Sequence, residues 1–546
     1  MAQRPGASAA QARSELGVSR ESLTVRPHVL RIALAFLQQR LHQRSPFVTF
    51  FFPNEASPVT LNASIAMNTE QLYQERLNRY VTALRNEKPD RVPLRPFVAE
   101  FTAKYAGYTC QEVAHDYTKA FEAAIKCARD FGWDAVVPNM VYVWTGLAQA
   151  VGLRYYGIPG LNIPHTTGFN YIEPPEDQAF MKPDEYDALI DDPTGYLYNV
   201  WLPRVSTELS RIGEPATYRN NLSFVKGGMA MLSYFYAFGP QVARLREECG
   251  TASAIAGIFK APFDIIADKL RGYVGLTMDM HTQPQKVLRA CEALMPHLCH
   301  VGLTTADPNK LVPIGYWMHR GCVPFINPKQ FESHYWPTLK PVIEEFWKQG
   351  HQTLFYAEGR WKHHFDSFRE LPDRSLVFHC DQDDVFEAHR KLHDKFCITG
   401  GIPNVLLSYG KPKEVRAFCK QVIDEVAKDG GYIMDAGAIM QDDTSIENIR
   451  VMTEFTREYG VYSSGSYNPP SATPPSDLPA SVADREKLTG MAGRPQPKVR
   501  PGVCFPWEDR VKELPEITGS KDLIRRIWED IDALGNMYIW QLLLSF

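Results

Sequence analysis

The chain is 546 residues long, enough for a large core and more than one structural unit. It is 44% hydrophobic and 22% charged, with a formal net charge of -4, so bulk charge selects neither nucleic acid nor a membrane surface. Its ten cysteines lack CxxC pairs and the density of a disulfide scaffold, which predicts reduced thiols in a cytoplasm. No apolar run reaches the roughly 18–20 residues that span a bilayer.

Residues 1–66 read as an N-terminal extension. Within them "RPHVLRIALAFLQQRLHQR" is Arg-rich and helical in pattern, as a targeting signal or as an extension outside the core. From residue 68 "NTEQLYQERLNRYVTALR" has apolar residues at helical spacing, with Asn68 or Thr69 available as a cap. "YTKAFEAAIKCARDFG" predicts a helix closed by Gly132, and "WDAVVPNMVYVW" a buried strand with the loop after it. "PQKVLRACEALMPHL" is another helix. Between about 340 and 450 the alternation is regular. "HQTLFYAEG", "SLVFHCD", "FCITGGIP" and "GYIMDAGA" are strands, and each is followed or preceded by a helix such as "TLKPVIEEFWKQG" or "DVFEAHRKLHDK". Repeated β-then-α units with apolar strands predict a parallel sheet in an α/β fold. A (β/α)8 TIM barrel over 67–465 fits them best, and an open doubly wound sheet is the alternative. No GxGxxG follows an early strand, so no NAD site is expected. Residues 466–500 are rich in Pro, Ser and Ala and read as a linker. The terminal helix "KDLIRRIWEDIDALGNMYIWQLLLSF" ends in an apolar tail expected to pack on the barrel or on a second subunit.

Three stretches resemble the uroporphyrinogen decarboxylase superfamily, which includes methylcobamide:coenzyme M methyltransferases. "FINPKQFESHYWPTLKPVIEEFWKQG" is similar to the segment leading into the later strands of that family. "FCITGGIPNVLLSYGKPKEVRAFCKQVIDEV" resembles its glycine-rich strand end and following helix, and "GGYIMDAGAIMQDDTSIENIRVM" its last strand. The resemblance covers roughly residues 70–462 and implies a barrel with its site at the C-terminal strand ends. The departures are specific. The arginine-rich loop of true uroporphyrinogen decarboxylases is replaced by "RVPLRPFVAEFTAKYAG", which keeps Arg95, and no acid follows Asp134 at the place of their catalytic aspartate. A tetrapyrrole with eight carboxylates needs several fixed cations. A small substrate is therefore expected. The zinc methyltransferases use "H-x-C-G" and a late cysteine, whereas here Tyr356, Glu358 and Ala438 stand at those places, so the soft thiolate site is absent.

Alternate residues of a strand share a face, so Tyr356 with Glu358, and His379 with Asp381, project to one side. If that side is the barrel mouth, Glu358, His379 and Asp381 are the expected catalytic residues. With Asp435 they form a hard donor set for Zn, Mn or Fe. Three readings stay open at this point: a divalent metal site, metal-free acid/base chemistry, or a structural polar cluster. Cys380 is expected to face the helices. Arg95, His319, Arg320 and Tyr356 are expected to bind substrate, with His319 and Arg320 alternatively a structural ion pair. Tyr142, Trp144, Tyr316 and Trp317 are aromatic pocket candidates or simply core.

The resemblance implies methyl or alkyl transfer from a methylated compound to a corrinoid or folate acceptor, with a corrinoid protein as partner. A decarboxylase or lyase acting on a small carboxylated substrate is the alternative, and a non-catalytic binding barrel the third. The expected setting is a cytoplasmic enzyme, as a homodimer or monomer, without nucleic acid or membrane partners.

Overall fold

A computed structural model describes residues 63–137, 145–462 and 498–544. The expected targeting stretch, Tyr142 and Trp144, and most of the Pro-rich linker lie outside the described residues, as does the Tyr316 side chain. No described helix is long and apolar enough to cross a membrane.

The first helix runs Ala63–Leu84, so Asn68 and Thr69 sit inside it and do not cap it. The Tyr117–Phe131 helix ends as predicted on Gly132, whose φ of 65° favours a residue without Cβ. Eight short strands matter for the site: β1 (Ala135–Val136), β2 (Ala252–Ser253), β3 (Ile258–Phe259), β4 (Ile314–Met318), β5 (Thr353–Ala357), β6 (Leu376–Cys380), β7 (Cys397–Gly400) and β8 (Tyr432–Ile433). β3 to β8 form one sheet, all parallel and in chain order, and β1 pairs with β2 in parallel. The parallel α/β architecture is thus observed. Regular pairing runs open from β3 to β8 and does not itself make a closed barrel.

Single bridges connect the two sheets' outer edges. Leu94 bridges in parallel to Met434 just after β8. On its other side the Leu94 carbonyl accepts from the amides of Asp134 and Ala135 at 3.0 and 3.2 Å. The Ala256 amide donates to Pro313 before β4, between β2 and β3.

Alternation along the strands sorts two cores. Leu354 and Tyr356 of β5 pack with Val377, Cys397, Ile433, Trp317 and Ala135. Phe355 and Ala357 pack outward with Phe378, Cys380, Ile398 and the surrounding helices. A period of two buried on both faces is what a helix-covered parallel sheet requires. Outside the sheet, a 32-residue helix spans Tyr218–Cys249. The terminal helix, Lys521–Leu544, buries its last turns on the same chain: Trp540 stacks on His297 with centroids 4.7 Å apart, and its indole N–H donates to Thr194.

At the N-terminal end of β1 the buried Asp134 carboxylate receives Arg79 at 2.5 Å, Arg91 at 3.1 Å and the Leu94 amide at 2.8 Å. Removing one partner of such a group strands the buried charges. Asp134→Ala should therefore lower unfolding free energy by about 3–5 kcal/mol in a denaturant titration. A loss under 1 kcal/mol would show that this knot does not hold the first strand.

Candidate functional site

The strand ends carry the chemistry-bearing side chains in two successive layers. In the lower layer, register places Trp317, Tyr356, His379 and Thr399 side by side on β4 to β7. Tyr356 stacks on His379, centroids 4.2 Å apart and planes 12° from parallel, and Phe97 meets both rings edge-on. Arg95 donates to the Thr399 hydroxyl at 2.6 Å and lies 3.6 Å from Asp435. Asp435 also accepts from the amides of Phe97 and Ala436. Arg95, His379 and Asp435 are fully buried. Burial pushes Asp435 up to about 7, with Arg95 opposing. Burial, then the Arg95 charge, hold His379 well below its usual value, so this imidazole is neutral.

This layer corrects several expectations. Arg95 is fully buried and meets Thr399 and Asp435 inside the sheet, while its Nε and Nη1 have no hydrogen-bond partner. His379 Nε2 faces the Gly437 carbonyl at 2.9 Å, and its Nδ1 stands 3.9 Å from Asp435. Among the described residues no three His, Cys, Asp or Glu side chains gather as a metal site. The expected set of Glu358, His379, Asp381 and Asp435 therefore does not fit a metal: two members lie in the sealed layer and two at the rim. Cys380 lies in the outer core.

The rim layer begins one residue beyond the strands. Glu358 is exposed and approaches His319 Nδ1 at 3.9 Å. Asp381 accepts from the Gly359 amide at 2.8 Å, and burial pushes it up to about 6. Asp383 accepts from the Trp361 and Lys362 amides, and Asp384 caps the next helix by accepting from Phe386. The acidic run after His379 thus braces two loops. Its residues do not converge on one ligand.

The convergence lies next door, where His319 and Arg320, both expected at the site, meet Lys260, Asp264 and Asp268, which the sequence does not single out. After β3 the chain continues "KAPFDIIADKL". Pro262 opens a helical turn, and a π-helical turn over Ile266–Leu270 follows. This places Asp268 where it receives His319 Nε2 at 2.7 Å, Arg320 Nε at 2.8 Å and Lys260 Nζ at 3.2 Å. Asp264 accepts from the Arg320 amide at 2.7 Å and the Tyr335 hydroxyl at 2.6 Å. Lys260, Asp264 and Asp268 are buried. Burial alone would raise Asp268, but His319 and Lys260 outweigh it and hold it well below the carboxylate range. Burial raises Asp264. For His319, burial works downward and is overcome by the charge and hydrogen bond of Asp268, so its value is raised. His319 Nδ1 is buried and has no hydrogen-bond partner. The result is an imidazolium anchored at one nitrogen and free to donate from the other. Arg320 is committed to Asp268 and Glu173, the ion-pair alternative for this residue. The signal that could have found the cluster is the Lys260, Asp264, Asp268 spacing of four, directly after a strand.

Because the folded value of His319 is raised, its pairing with Asp268 is fully present below about pH 6.5 and is lost as pH rises through the raised value. NMR titration should find His319 still protonated above pH 6.5. In Asp268→Asn it should titrate lower than in the wild-type protein, since its strongest raising partner is gone while burial and Lys260 still act downward and only Asp264 acts upward. An unchanged value in that variant would contradict the assignment.

Residues 229–459 match the family model described as Uroporphyrinogen decarboxylase (URO-D). None of the curated proteins matches the chain. Among solved structures, a methyltransferase from Methanosarcina mazei aligns at 14% identity with a TM-score of 0.48, covering 70% of this chain and 98% of that one. The family match contains β2 to β8 and the whole Lys260–Asp268–His319 cluster. Over residues 229–459 the chain is thus similar to the uroporphyrinogen decarboxylase family, which supports the resemblance read from the sequence.

Proposed function

We propose that the chain is an enzyme that decarboxylates a small carboxylated substrate at the rim cluster, with His319 as the proton donor. The observation that carries this reading is the convergence of Lys260, His319 and Arg320 on the single firmly ionised carboxylate of Asp268. Arg320 is shared with Glu173 and Glu358 stands near His319, so Lys260 and the protonated His319 are the cationic groups that would meet a substrate carboxylate. We infer as well that the bridges through Leu94 complete an eight-stranded (β/α)8 barrel. The rim is then the face where such barrels keep their chemistry.

In this scheme Lys260 attracts the carboxylate, while Arg320 stays paired with Asp268 and Glu173. The bond from carbon to the departing carbon dioxide breaks, and its electron pair stays on the substrate carbon. His319 Nδ1–H protonates that carbon, while Asp268 holds the imidazole through Nε2. Glu358, exposed and 3.9 Å from Nδ1, returns a proton from water. Asp381 shapes the neighbouring loop. No step is routed through a metal, because the expected ligands do not gather.

Methyl or alkyl transfer to a corrinoid or folate acceptor is the second reading. What favours it is the same unpartnered Nδ1: a methylated heteroatom also needs a proton as it leaves. Two parallel screens separate the readings. One measures carbon dioxide release from small carboxylic acids, the other cobalamin-dependent demethylation of O-methyl aromatics. Turnover in the first is expected, with a loss of about 10²–10⁴-fold in His319→Gln. Turnover only in the second selects methyl transfer, and full activity in His319→Gln contradicts both. Uroporphyrinogen III should not be converted to coproporphyrinogen III, since Arg95 is enclosed and the arginine-rich loop is missing.

A further inference from the structure

One buried lysine takes no part in the chemistry described so far. Lys269 follows Asp268 on the π-helical turn. Asp268 meets the rim cluster, whereas Lys269 meets three tyrosines. The side chain is 1% exposed, and Nζ has no hydrogen-bond partner. The Tyr155 ring centroid lies 4.2 Å from Nζ, and those of Tyr156 and Tyr171 lie 5.1 Å away. An ammonium so placed has lost its water and gained no acceptor, only ring faces. Burial first, and then the charge of Lys260, hold this lysine well below the usual ammonium range. Asp268 acts the other way and is outweighed. The side chain is therefore a neutral amine with its lone pair unused.

The turn that carries it is fixed. The Trp201 indole donates to the Lys269 carbonyl at 2.6 Å, and the Met181 amide donates to the Leu270 carbonyl at 2.8 Å. Tyr171 belongs both to the enclosure and to the rim. Its ring covers Nζ, its hydroxyl donates to the Asp268 carbonyl, and two residues on Glu173 pairs with Arg320. Tyr155 and Tyr156 are sealed, but Tyr171 is half-buried between the exposed Asn170 and Ile172. It is the wall of the enclosure nearest to solvent. A desolvated lysine beside a second cation is the arrangement that makes an amine nucleophilic toward carbonyl carbon. Decarboxylation has a use for such a group. The departing carbon dioxide leaves an electron pair on carbon, and that pair needs a sink. A keto group β to the carboxylate becomes a sink once it is condensed with an amine, and ring faces suit the resulting cation.

We propose that Lys269 Nζ forms a Schiff base with the substrate, and that the substrate is a small β-keto acid; this substrate class rests on the decarboxylation reading above. Nζ attacks the keto carbon, and water leaves to give the iminium. The bond to the carboxylate carbon breaks, its electron pair becomes the C=C bond of an enamine, and the nitrogen loses its charge. His319 Nδ1–H protonates the carbon that lost carbon dioxide, which restores the iminium. Water then releases the ketone and the free amine. The test is borohydride reduction of the full chain incubated with acetoacetate, with peptide mapping by mass spectrometry and carbon dioxide release measured in parallel. An isopropyl group on Lys269 is expected. Lys269→Met, uncharged and similar in length, keeps the enclosure filled, and it should release carbon dioxide only at the uncatalysed rate. Release without an adduct on Lys269, or undiminished release by Lys269→Met, would overturn the Schiff base and leave decarboxylation standing. An adduct on Lys269 that keeps its carboxyl group, with no release, would uphold the amine and contradict the decarboxylation reading. Neither adduct nor release would overturn the proposal.

Discussion

Arg95 and Asp435 are both sealed from solvent and 3.6 Å apart, and the rest of the site is arranged around that pair. Two opposite charges inside a sheet cost several kcal/mol each to desolvate unless they find each other and further partners. Arg95 finds Thr399 and the Phe97 ring, and Asp435 finds two backbone amides. Through these contacts the first extended segment of the described chain is fastened to its last strand. The neighbouring His379 must then be neutral, because the Arg95 charge and burial both disfavour its protonation. The lower layer thereby fastens the sheet, with Arg95 Nε and Nη1, Tyr356 Oη and His379 Nδ1 buried without a hydrogen-bond partner. In the proposed reaction proton transfer falls to the next layer, where the strand ends open.

In that next layer one carboxylate organises three cations. Asp268 keeps His319 protonated despite burial, and it keeps Lys260 and Arg320 within about one side-chain length of the imidazole. Burial strengthens these interactions because little water screens them. A buried Nδ1 without a hydrogen-bond partner is common to His319 and His379, but only His319 is held protonated, by Asp268, and so has a proton to give.

The later strands were legible because apolar alternation is bounded there by glycine, and strongly amphipathic helices intervene. β2 and β3 were not, since "ASAIAGIF" is mostly small residues and shows neither a period of two nor β-branched enrichment. The Tyr218–Cys249 helix was passed over because apolar residues on both faces blur the single-stripe signature. For the site, alternation along β5 and β6 identified which side chains share a face, but not their height. A period of two does not say whether His379 sits in a sealed layer or at an open end. Depth is set by Arg95 and Asp435, distant in sequence. His319 carries no strong local motif, and its partner Asp268 comes from a π-helical turn that no periodicity announces.

In the proposed reaction the His319 layer, and not the His379 layer, meets the substrate. The most direct measurement follows the imidazole NMR signals of both histidines while small carboxylic acids are titrated into the protein. A binding acid should shift His319 and leave His379 unmoved, and Lys260→Met should abolish the response. Saturable binding that shifts His379, or that persists unchanged without Lys260, would contradict the account.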